Sequence, residues 1–134
     1  MKITLASAVA VTAGLLLSET PMIAHHSFAA EFDGSKPVDL MGTVTKVDWV
    51  NPHSWIYIDV KGEDGTVANW GLETGPPNVL YRGGWRRDTV KPGDLITVHG
   101  FSAKDGSHTV AARQITTPDG RKLFAGSPDN GPKQ

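Results

Sequence analysis

One stretch of this chain restricts the fold more than any other. A strand pattern runs from Val38 to Val50 with Gly42 inside it, and its alternation changes phase partway. Leu40 and Val44 share one parity, whereas Val47 and Trp49 share the other. Strand side chains alternate with a period of two, so a change of parity marks a bulge or a sharp bend near the glycine. Asn51-Pro52 then breaks the strand, because proline cannot donate to a ladder and holds its predecessor extended.

The following segments read as shorter strands. His53 to Val60 alternates cleanly, with Ile56, Ile58 and Val60 on one face and Trp55, Tyr57 and Asp59 on the other. Glu63-Asp64-Gly65 has hairpin-turn chemistry, and a third strand follows from Thr66 to Glu73. Pro76 to Arg82 reads as a short helix, with proline at its start and Gly83-Gly84 at its end. Lys91-Pro92-Gly93-Asp94 turns into a fourth strand, Leu95 to Phe101, and Asp105-Gly106 leads into a fifth, His108 to Thr117. A short Lys122-Leu123-Phe124 segment comes last. Three strands, a short helix and two strands, the first long and bent, predict an all-β fold. The expected form is a small five-stranded OB-like Greek-key barrel, with a two-sheet sandwich as its competitor. Fifteen Gly and nine Pro agree with many turns.

The ends of the chain carry the functional signal. Lys2 and the apolar run from Ile3 to Leu17 predict a signal peptide over residues 1–24, and hence a periplasmic or secreted protein. The apolar run is too short to span a bilayer comfortably. Residues 25–37 are then an extended lead-in, 38–126 the barrel domain and 127–134 a flexible tail. The absence of Cys excludes disulfides, c-type haem attachment, iron–sulfur ligation, thiolate zinc sites and a blue-copper centre. A formal net charge of -1, with both signs mixed along the chain, leaves no electrostatic footprint for nucleic acid.

Cleavage after Ala24 exposes the amine of His25, next to His26. An N-terminal His can chelate through its amine and ring Nδ1, and a further imidazole can complete a planar nitrogen set. Copper(II) favours those donors, with zinc second if Glu31 or Asp33 adds an oxygen. His53, at a strand start beside the Asn51-Pro52 break, is the expected third metal ligand, and an extended lead-in reaches it across up to ~40 Å. The competing reading is plain solvation of His25 and His26, with His53 bonded to its own turn.

Five segments resemble an uncharacterised family of small exported bacterial proteins, a domain of unknown function. They are His25 to Asp33 (HHSFAAEFD), Gly42 to Val47, Asn51 to Tyr57 (NPHSWIY), Lys91 to Asp94 and Pro118 to Ser127 (PDGRKLFAGS). The resemblance implies a single exported domain and brings no activity or catalytic residue with it.

Two further surfaces are candidates. Trp55, Tyr57 and Trp70 are expected on an outward aromatic face near Asp59, able to stack a planar ligand or to pack beneath the lead-in. Arg82, Arg86 and Arg87, around Trp85, form a basic cluster suited to an anionic ligand or a partner's acidic surface. Asp48, Asp59 and Glu73 have no spacing that predicts a catalytic pair, and neither hydrolase nor zincin motifs occur. His99 and His108 fall on strands and are expected to be satisfied locally. The expectation is a small exported binding protein, more plausibly without enzymatic activity, that takes copper(II). An adaptor for another exported protein or a small ligand is the alternative, and a copper-dependent redox enzyme the third.

Overall fold

The computed structural model describes residues 27–126. Residues 1–24, His25 and His26 at the start, and the tail from Ser127, lie outside the described residues. The elements are α1 (Phe28–Glu31), β1 (Phe32–Asp48), β2 (Trp55–Lys61), β3 (Val67–Glu73), α2 (Pro77–Arg82), β4 (Leu95–Ala103), β5 (Thr109–Thr116) and β6 (Lys122–Phe124). No helix among the described residues is long and apolar enough to cross a membrane.

The fold is all-β, and its topology follows from β1 belonging to both halves of the sheet. The first part of β1 pairs antiparallel with β4, ending at Thr43 opposite Leu95. The second part pairs with β2, beginning at Thr43 opposite Asp59. β2 pairs with β3, β4 with β5, and a parallel pairing of β3 with β5 (Gly71 with Thr109, Leu72 with Val110, Glu73 with Ala111) closes the ring. The closed order β1-β2-β3-β5-β4, with α2 between β3 and β4, is that of an OB-like barrel. The expectation of five strands needs one correction: Lys122 to Phe124 is a sixth strand, laid antiparallel on β5. Three residues carry too little alternation to be read as a strand from sequence.

The phase change has a physical location. Register shifts between Val44 and Lys46, so Thr45 is the extra residue and the bulge lies just beyond the glycine. Val44 is therefore buried before the bulge, and Val47 and Trp49 pack against the core after it. Gly42 has a separate reason to be glycine: a Cβ there would come within 2.6 Å of the Asp59 carbonyl oxygen of β2. Gly100 on β4 meets the same limit, 2.3 Å from the Ala111 carbonyl oxygen, beside a second register shift. β1 also begins earlier than its alternation suggests, because Phe32 already pairs with Ala103 of β4.

The core fills the ring with Val44, Ile56, Ile58, Leu72, Ile96, Val98, Val110 and Ile115, the inward parity of β5 switching between Val110 and Ile115 across the register shift at Arg113. Trp85, fully buried, plugs it from the loop after α2 and donates its indole N–H to the Phe124 carbonyl at 2.8 Å. A smaller cluster lies on the outer face of β4 and β5, where Phe28 and Phe32 cover Ala111 and Phe101. Phe28 stacks on Phe32 with centroids 5.7 Å apart and meets Phe101 edge-on at 5.6 Å.

The turn between β5 and β6 is organised by Asp119. Its carboxylate accepts from the Thr117 hydroxyl and from Arg121 Nε at 2.7 Å. Those bonds, Thr117 first, lower its pKa to about 2. A folded pKa below the ordinary 3.8 means that the turn's contribution is complete above that value and is lost as pH falls towards 2.

Two predictions follow from these contacts. Gly42→Ala should lower unfolding free energy by about 1–3 kcal/mol through overpacking, read as a lower urea midpoint at unchanged m-value. A neutral result would show that β2 can withdraw from β1. Asp119→Asn should destabilise near neutral pH, with the difference from wild type closing between about pH 4 and pH 2. A difference that stays constant across that range would remove the carboxylate from the account.

Candidate functional site

The loop between β1 and β2 is pinned from both sides. Ser54 donates its backbone N–H to the Gly75 carbonyl at 3.2 Å. Thr74 returns two bonds to the Ser54 carbonyl, from its N–H and its hydroxyl, each at 2.9 Å. Ser54 and Thr74 are both buried, and the Asn51–Pro52 peptide is cis. The Ser54 hydroxyl reaches towards the Val50 carbonyl, so the adjacent Ser54 and His53 do not form a nucleophile–base pair. His53 and Glu73 each directly precede one member of this pinned pair, which fixes both backbones.

Their side chains meet: His53 Nδ1–H donates to Glu73 Oε1. The side chains are 23% and 11% exposed, so the imidazole and the carboxylate are largely out of water. An ionised carboxylate is acceptor-only, so the contact assigns a proton to Nδ1. Burial of a carboxylate is costly without a charged or hydrogen-bonded partner, and His53 supplies one.

The barrel register shows what surrounds the pair. Glu73 lies opposite Trp55 on one side and Ala111 on the other. Ala111 is the floor of the outer cluster on which Phe28 rests. Sheet closure thus brings the first described turn of the chain next to the strand position that holds His53. Beside the pair, Trp55 and Tyr57 stack with centroids 6.3 Å apart and an interplanar angle of 18°. Both rings lie against Gly71, whose missing Cβ would be 3.5–3.6 Å from them. Lys46 lies over the Tyr57 ring at 5.5 Å and pairs with Asp48 at 2.7 Å. The face formed by strands two and three of an OB barrel, with the loop joining strands one and two, is the usual ligand surface of that architecture.

The structure separates other expected groupings. Trp70 does not join Trp55 and Tyr57: it pairs with Ile58, shares the inward parity of Leu72 and packs against the core. Its ring stacks on His108 with centroids 4.5 Å apart. Trp85 leaves the basic cluster for the core, and Arg86 closes the end of α2, donating to the Tyr81 and Trp85 carbonyls at 3.2 and 2.6 Å. Arg82 and Arg87 are exposed. Asp59 accepts from Asn69 at 2.9 Å, Asp33 binds the Ser35 hydroxyl at 2.6 Å, and His99 pairs with Asp39 at 2.9 Å. Asp48, Asp59 and Glu73 therefore each have different partners. Among the described residues, no cluster of three or more His, Asp or Glu could by itself hold a metal.

The match to a family model spans residues 13–112. The chain belongs to DUF6152, a family of unknown function. No curated protein matches it. The match takes in β1 to β4 and the first half of β5, including His53, Glu73 and both strands of the aromatic face.

Glu73 is the site residue that strand-by-strand reading passed over. Its signal was parity: Glu73 shares the outer face with Trp55, at the strand end that follows the His53 turn. A double-mutant cycle on His53 and Glu73 should return a coupling of about 1–3 kcal/mol in urea unfolding. The same cycle on the more exposed His99 and Asp39 should return less than ~1 kcal/mol. Equal couplings would mean that burial adds nothing to the first pair.

Proposed function

We propose that the protein is an exported, periplasmic binding module that takes copper(II) through His25, His26 and His53. In this reading residues 1–24 are removed as a signal peptide. One observation carries it: the half-buried His53–Glu73 pair lies one strand from Ala111, on which Phe28 rests. Neighbouring strands are about 4.8 Å apart, and an extended chain covers at most ~3.6 Å per residue. His26 is two residues before Phe28, and His25 three. The anchoring of Phe28 by Phe32, Phe101 and Ala111 therefore keeps both histidines within about 11 Å of backbone from a docked ring.

The chemistry suits the donors. The freed amine of His25 and its ring Nδ1 can close one chelate, His26 and His53 Nε2 supply further nitrogens, and copper(II) favours such a set. Zinc is the second choice, with a carboxylate added from the same segment. Because the amine must lose a proton to bind, its modest reference pKa of about 7.7–8.0 keeps the cost small near neutrality.

A second reading rests on the Trp55–Tyr57 stack: a small planar ligand or an exported partner could lie on that face. Arg82, Arg86 and Arg87 would extend it only as a separate anionic contact.

The test is a copper(II) titration with EPR on processed protein whose N-terminus has been sequenced as His-His-Ser-Phe. A Met-extended control lacking the His25 amine runs beside it. Tight one-to-one binding with nitrogen hyperfine structure, lost in the control and weakened in His53→Ala, is the expected result. Weak binding that is equal in all three samples would retire the metal reading, and ligand binding sensitive to Trp55→Ala would then support the second.

A further inference from the structure

We infer that the cleft between the loop after α2 and the turn joining β5 to β6 binds a small zwitterion, a solute with both a carboxylate and an ammonium. The cleft has a volume of about 410 Å³, and Arg86, Asp88, Lys91, Asp94, Asp119 and Arg121 are among its lining residues. That volume lies in the range of small-molecule sites. Two turns that stand out in the sequence, Lys91 to Asp94 and Pro118 to Arg121, thus meet at one place. Of the expected arginine cluster only Arg86 lines it. No residue of the copper reading takes part, so the two stand independently.

Both walls are fixed by the chain itself. Arg86 donates its backbone N–H to the Thr89 hydroxyl at 2.7 Å, and Lys91 donates its own to Asp94 Oδ2 at 2.9 Å. Gly93 N–H donates to the Val44 carbonyl and Val44 N–H to the Asp94 carbonyl, each at 2.8 Å, tying that loop to β1. Buried Trp85 holds it to Phe124 of β6. On the other wall Asp119 and Arg121 satisfy one another, with Nε 2.7 Å from Oδ2. The remaining charges are not neutralised in this way. Among the described residues, Arg86, Asp88, Lys91 and Asp94 form no ion pair. Arg86 uses Nη1 on two carbonyls and Asp94 uses one oxygen on a backbone N–H, so neither is free to close on the other. Nε and Nη2 of Arg86, the Lys91 ammonium, the Asp88 carboxylate and the second oxygen of Asp94 are left for a ligand. A simple anion would meet Arg86 and Lys91 but be repelled by Asp88 and Asp94, and a simple cation the reverse. A zwitterion satisfies both signs. In this assignment the Arg86 fork and Lys91 take the carboxylate, while Asp88 and Asp94 take the ammonium.

The experiment is a nitrogen-15 NMR titration of the processed protein with alanine and with dialanine. Saturable shifts centred on the amides of Arg86 to Asp94 and of Asp119 to Arg121 are expected. N-acetylalanine lacks the ammonium, alaninamide lacks the carboxylate, and inorganic phosphate is a plain anion. Each should bind roughly 10–100-fold more weakly than the zwitterion. Lys91→Gln and Asp88→Asn alter exposed side chains that make no bond within the described chain. Each should keep the wild-type urea midpoint and lose roughly 10-fold in affinity. A preference for alanine assigns a free amino acid and a preference for dialanine a short peptide, and either supports the inference. Phosphate or N-acetylalanine binding as tightly as alanine overturns it in favour of an anion site, and equal binding of alaninamide in favour of a cation site. These comparisons on wild type decide the matter even if both variants misfold. The absence of saturable shifts with alanine and dialanine up to about 10 mM overturns it outright, as does unchanged affinity in both folded variants.

Discussion

The barrel depends on how closely two backbones approach at Gly42. β1 leaves its pairing with β4 and takes up its pairing with β2 at Thr43, and one strand can serve both only if it bends there. The bend presses Gly42 towards the Asp59 carbonyl, into the space a side chain would need. The bulge at Thr45 then restores the inward direction of the apolar residues, so Val47 and Trp49 reach the core despite their changed parity. Close approach and extra residue act as a unit: the first permits the bend, and the second keeps the hydrophobic pattern facing inward after it.

Closure of the ring also makes the site. Once β3 lies parallel to β5, Glu73 faces Ala111, residues far apart in sequence. Ala111 is small, and its size lets Phe28 and Phe32 settle on the outer face against Phe101. Beyond Glu73, Gly71 offers the same flat backbone to Trp55 and Tyr57. An outer face with small residues at the two positions flanking Glu73 can carry aromatic rings on both sides of a polar pair. The inner face, filled by Ile58, Leu72, Val98 and Ile115, has no comparable freedom, since its packing is complete.

Parity made much of this legible from residues alone. The clean alternation of Ile56, Ile58 and Val60 against Trp55 and Tyr57 places β2 correctly, and Pro76-Pro77 with Gly83-Gly84 brackets α2. Local signals failed where the answer depends on distant pairing. Trp70 reads as an outward aromatic until its register opposite Ile58 is known, and Trp85 reads as part of an arginine cluster until Phe124 arrives to accept its N–H. Phe32 begins β1 beside Pro37 and Gly34 because Ala103 of β4 pairs with it, a contact no short window contains. Glu73 is the same kind of case: an acidic residue closing a strand acquires its role only when the His53 turn folds over it.

The His53–Glu73 pair is not what stability alone would select. Taking an imidazole and a carboxylate out of water forfeits their hydration, and well-packed apolar residues of similar volume often do as well or better. Nor does the barrel require the pair to close, because the β2–β3 and β3–β5 ladders already hold that corner through backbone bonds. What the pair adds is direction. A histidine bonded at Nδ1 cannot turn its ring freely, and the bond ties the loop between β1 and β2 to the end of β3.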